Sequence, residues 1–189
     1  MVTRLAMTQY MLDHAFATLA AHLTALTLDE ALFVPQGGFR SVLGTLKHAA
    51  AWSHVYRSYA FDTAPTAWHA LDWPHGLRDS VSSSQSYLDA VIDWLHHAHT
   101  RWQDDLTQRQ DHDLDALRPV HWGATLPLYE IIVRSAQHHI YHAGEINQLL
   151  AIRREEAWEE GEEVEENHIS TLGHRVVPPW KRDQNISSS

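Results

Sequence analysis

Apolar residues recur three or four positions apart along four long stretches, and that period governs what the chain can fold into. A chain with this pattern buries one face of each of several helices against the others. In the first stretch, Arg4 to Thr27, the stripe is Leu12, Phe16, Leu19, Leu23 and Leu26, with Leu5 extending it. Pro35, Gly37 and Gly38 mark 27–40 as a loop. Ser41 suits the cap of a second helix running to about Ala60 through Val42, Leu46, Ala49, Trp52 and Tyr56. An irregular connection with Pro65 and Pro74 follows. A third helix is expected from about Leu77 to Leu106, with Val81, Leu88, Val91, Ile92, Leu95 and Trp102 inward. Residues 111–123 suit a short strand or an ordered loop. Pro127 suits the first turn of a fourth helix that ends near Glu156. Four helices with connections of this length predict an all-α, four-helix bundle over 1–156. Eight glutamates fall between Glu155 and Glu166, and Pro178, Pro179 and Trp180 follow, so 157–189 reads as an irregular acidic tail.

The chain has 189 residues, a formal charge of −10, no cysteine and 16 histidines. The negative charge argues against nucleic acid or an anionic membrane as the main partner, because both select a basic face. No apolar run is long enough for a bilayer, and residues 1–10 lack the pattern of a secretion signal, so a cytoplasmic protein is expected. Without cysteine, disulfides and thiolate metal sites are excluded, and a bound metal must use nitrogen and oxygen ligands. Any thiol chemistry would need a thiol supplied as a small molecule.

His138 and His142 lie four apart in the fourth helix, on one face and one turn from each other. They share an inward row with Ile131, Ser135, Ile146 and Leu149. Two unpartnered imidazoles facing a core are costly, so the pair either hydrogen-bonds to neighbouring helices or shares one metal ion. A third ligand must come from another helix. His48, mid-way along the second, is preferred over His54 near its end. His139 points about a hundred degrees away from the pair. His96, His97 and His99 are spread round the third helix and read as polar-face residues. Glu145 suits a ligand, a general base, a carboxylate partner for an imidazole, or a surface salt bridge. Arg134 suits an anionic substrate at the rim or a pair with Glu130. Three histidines and an open position form a catalytic geometry, while a structural zinc normally takes four protein ligands.

Two motifs carry a family resemblance. Leu46-Lys47-His48-Ala49-Ala50-Ala51-Trp52, with His138-His139-Ile140-Tyr141-His142-Ala143-Gly144-Glu145-Ile146 far downstream, resembles the DinB/YfiT superfamily. The resemblance covers about residues 1–154. It implies up-down-down-up connectivity and a metal held by one histidine of the second helix and two of the fourth. Those map onto His48, His138 and His142. A homodimer is implied as well. Relatives include mycothiol-dependent maleylpyruvate isomerase and bacillithiol S-transferases, in which a metal activates a cofactor thiol or a bound water. The resemblance thus implies a divalent ion, zinc first with nickel or iron as alternatives, and a low-molecular-weight thiol or other small-molecule substrate. Two readings stay open: an S-transferase or hydrolase using Glu145 and Arg134, or a non-catalytic, metal-stabilised bundle linked to stress or ligand binding.

Overall fold

The structure is a computed structural model and describes residues 2–78 and 81–159, with side chains as far as Glu155. The expected acidic tail, past Glu159, lies outside the described residues. Residues Met1–Arg153 form one compact unit. Its elements are α1 (Arg4–Ala20), α2 (Leu28–Leu32), α3 (Val42–Phe61), α4 (Gln85–Thr107), β1 (Leu117–Pro119), β2 (Thr125–Pro127) and α5 (Leu128–Glu159). The fold is all-α but for one small hairpin. No helix among the described residues is long and apolar enough to cross a membrane.

The four long helices share one interior. Around His48 and His142 it holds Phe16 and Leu19 of α1, Leu43 and Leu46 of α3, Leu88, Val91 and Leu95 of α4, and Ala143 and Ile146 of α5. Toward the other end it continues through Leu12, Val55, Tyr59, Trp102, Leu106, Leu128 and Ile131. Trp102 is fully enclosed, and its indole N–H donates to the Ser53 carbonyl at 3.1 Å, so the largest core ring leaves no polar atom unpaired.

The boundaries show where local chemistry overrode the period. The first helix stops at Ala20 rather than running to Thr27, and residues 21–25 turn instead. Thr27 is extended and caps α2, accepting from the Glu30 amide while the Glu30 carboxylate accepts from the Thr27 amide. That capping box, Thr27-x-x-Glu30, begins a new helix inside the expected loop. Leu23 stays buried on the turn, which is why the stripe ran past the helix. Thr27→Ala is expected to cost about 1 kcal/mol. That corresponds to a midpoint about 2–4 °C lower in thermal denaturation, restored by Thr27→Ser.

The third long helix begins at Gln85, not Leu77. Ser84 caps it, accepting from the Tyr87 amide, and the preceding serines compete with the helical backbone. Leu77 reaches the core from a turn closed on the Pro74 carbonyl, but Val81 is exposed and is not a core residue. Pro127 does not open the last helix. It ends β2, which pairs antiparallel with β1 around a turn at Gly123 (φ 85°). Proline is tolerated at both strand ends because a two-stranded ribbon has open edges. The second helix begins after Ser41 as expected, with the serine hydroxyl accepting from the Gly44 amide at 3.1 Å.

Candidate metal centre

Two buried rows run along α5. One holds Ile131, Ser135, His142 and Ile146, with His138 half-buried between them. The other holds Ile132, Ala136, His139, Ala143 and Leu150. The first row meets α3 where His48 stands. One nitrogen from each of His48, His138 and His142 lies within 4.8 Å of the other two. The Nε2 atoms of His138 and His142 are 3.0 Å apart. Two nitrogens on one tetrahedral zinc, at about 2.0–2.1 Å each, would sit about 3.3 Å apart. The α5 pair is therefore already near ligand spacing, and a His48 nitrogen lies within 4.8 Å of both.

Electrostatics favour the neutral, lone-pair-bearing form of all three rings. Burial, then the neighbouring imidazoles, lowers His138 to about 2. Burial, then the charge of Arg40, lowers His48 to about 4. Burial also lowers His142, against the opposing pull of Glu145. Three imidazoles that resist protons while crowding one point suit a metal cation. The Nδ1 of His138 is buried with no hydrogen-bond partner among the described residues, so its Nε2 faces the site while the other nitrogen gains nothing from water.

Glu145 stands behind the cluster. Its carboxylate accepts from His142 Nδ1 at 2.5 Å, which leaves Nε2 of His142 unprotonated and aimed at His138. It also accepts from the Tyr141 hydroxyl, raising that phenol. Of the roles open to Glu145, the contact seen is that of a carboxylate partner to the His142 imidazole, outside the three-nitrogen group. Glu145→Ala is expected to weaken metal binding about tenfold to a hundredfold. Glu145→Gln should cost less, because its amide oxygen still accepts; a competition titration with a chelating indicator measures both.

Arg134 does not line the cavity beside His48 and His142. Its guanidinium binds Glu130 at 2.7 and 3.0 Å, one helical turn away, the second of the two roles the sequence left open. His54 donates from Nε2 to the Trp94 carbonyl at 3.3 Å and takes no part. His139 is likewise outside the group, but it is enclosed in the core beside Phe16. His99 corrects the polar-face reading: its ring stacks on Phe16 at 3.8 Å and is only 16% exposed, because α4 turns that position toward α1.

Two parts of the site were not read from the sequence. A cavity of about 780 Å³ opens over His48 and His142 and is lined also by Arg40, Thr45, Tyr141, Glu145 and Gln148. On the other flank an aromatic wall closes the centre. Trp52 lies 6.1 Å and Tyr56 5.8 Å from His138, and Trp68 lies 5.7 Å from His48, between ring centres. Trp52 follows His48 by four positions, so its place was readable from the helical period; Trp68 comes from the irregular connection and was not.

A helical core with three imidazoles converging from two helices defines a class of helical-bundle proteins with a histidine cluster that could hold a metal ion. The chain belongs to the DinB superfamily, whose family model matches residues 11–146. A search of curated proteins finds no match. Among solved structures, a crystal structure of a conserved protein from Enterococcus faecalis is similar at a TM-score of 0.57 and 17% identity, covering 79% of this chain and 96% of that one. At that identity the likeness concerns the fold alone.

Proposed function

We propose that the protein is a metal-dependent enzyme that holds one divalent ion, zinc first, on His48, His138 and His142, and activates a small thiol or a water at the remaining position. The observation that carries this reading is the convergence of three neutral imidazoles, with no fourth protein ligand among the described residues, beside an open cavity. A divalent ion there would lower the pKa of a thiol or water next to it. The chain's own contribution is positional. Glu145 fixes the tautomer and orientation of His142. The wall of Trp52, Tyr56 and Trp68 keeps water from one flank, so approach is from the Arg40 side. S-transfer or hydrolysis is the reaction class.

The test is cobalt-substituted protein titrated with 2-mercaptoethanol. A new thiolate-to-cobalt absorption band is expected. Cobalt bound with no such band, and no change on adding other small ligands, would leave the alternative of a non-catalytic bundle stabilised by its metal. A cytoplasmic place and a homodimer belong to the same proposal. The exposed apolar side chains Met7, Tyr10 and Tyr129, which border one face of α1, support the second, and sedimentation velocity tests it.

A further inference from the structure

Arg40 stands in the loop before α3 and lines the same cavity as His48 and His142. Among the described residues it has no carboxylate partner; its guanidinium lies 5.4 Å from the centre of the Phe39 ring. The first turn of α3 makes room for it. A Cβ at Gly44 would fall 2.7 Å from Cγ of Arg40 and 3.4 Å from Cδ, so glycine lets the arginine stem lie across the helix start.

This placement has an electrostatic consequence. A divalent ion on three neutral imidazoles keeps its full charge, and Arg40 adds one more. Glu145 offsets one, but it is engaged by His142 and Tyr141. An arginine held beside a cation site is unfavourable unless an anion lies between them. A guanidinium offers a planar fork that matches a carboxylate. A phosphate dianion suits the cavity less, because Glu145 would repel it and one arginine alone would face it.

We propose that Arg40, seated across Gly44, is the anion-recognising residue of the metal cavity, and that the ligand is a small molecule bearing a carboxylate on Arg40 and a second donor group directed at the metal position. This rests on the metal reading above and names its substrate class.

The experiment compares 3-mercaptopropionate with 2-mercaptoethanol on cobalt-loaded protein, read by the visible spectrum. Both offer the same thiol donor and only the first has a carboxylate. Wild-type protein is expected to prefer 3-mercaptopropionate, and Arg40→Met to reduce that preference at least tenfold. Comparing preferences between variants cancels the intrinsic difference between the two thiols. Arg40→Met should leave 2-mercaptoethanol binding within about threefold and bind cobalt as tightly as wild type or more so. Arg40→Lys should recover part of the preference, since it keeps charge without the fork. Gly44→Ala should lower it by displacing the arginine. A preference that survives unchanged in Arg40→Met, with cobalt bound, overturns this proposal and leaves the metal reading intact. Wild-type protein that takes up no cobalt overturns the metal reading, and the anion proposal falls with it.

Discussion

Replacing His142 with alanine is expected to abolish the stabilisation that a divalent metal gives the fold. The ring is almost wholly enclosed, its Nε2 is 3.0 Å from that of His138, and its other nitrogen is tied to Glu145. The enclosed His139 faces Phe16 and lies outside the cluster, so it offers no replacement ligand. Removing a carboxylate partner costs about ten- to a hundredfold in affinity; removing the ligand that it orients must cost more. For a metal held at a thousand times its Kd, binding stabilises the folded state by about 4 kcal/mol. A thousandfold weaker Kd at the same concentration leaves about 0.4 kcal/mol. Wild-type protein should therefore melt on the order of 10 °C higher with metal than with chelator, and His142→Ala should show almost no difference. The comparison of plus and minus metal within each variant removes any change in packing. A variant whose midpoint still rises with metal by the wild-type amount would falsify the assignment of this ligand.

The legible and illegible parts of this centre differ in a physical way. His138 and His142 were readable because a helix fixes the relation of positions four apart, so one periodicity argument delivers two ligands. The same rule places Trp52 one turn beyond His48. His48 itself, on another helix, had only a burial preference until the family motif joined it to the pair. Arg40 carried no signal, because its position depends on how a loop with a positive φ at Gly37 (75°) returns the chain to α3 and on the missing side chain at Gly44. The capping signals at Thr27 and Ser84 were present in the sequence, yet an uninterrupted apolar stripe outweighed them. Leu23 and Leu77 are buried from turns, which shows that a core can be continuous where its helices are not. His99 read as a polar-face residue and His139 only as turned away from the pair, but both pack against Phe16 across a helix junction that no single-helix pattern contains.

That junction leads to the second large effect, a steep acid limb in the stability of metal-free protein. His99 and His54 are held neutral in the fold. Burial, then the neighbouring His96, lowers His99 to about 4. Burial also lowers His54 to about 4, against a contact with the Trp94 carbonyl that pulls upward, and His97, Arg101 and Arg57 add to the lowering. In the unfolded chain both rings return to about 6.5. Between those values the unfolded state binds more protons than the folded one, so stability falls as pH drops from about 6.5 toward 4 and is unaffected by these groups above 7. Fully buried, the pair would contribute a slope of about 2.7 kcal/mol per pH unit. Asp13 lies 3.3 Å from His99 and favours its cation, and solvent reaches part of both rings, so about half that slope is expected. Over the window this amounts to on the order of 3 kcal/mol, a large share of the roughly 5–15 kcal/mol that holds a typical domain together. Urea denaturation in chelator at half-unit pH steps measures it. The double variant His54→Gln with His99→Phe removes both titrations while keeping a ring on Phe16, and it should lessen the slope between pH 6.5 and 5 by this pair's share, leaving the share of His48, His138, His139 and His142, whose rings burial also holds neutral. An acid limb of undiminished slope in that variant would show that His54 and His99 contribute nothing to it.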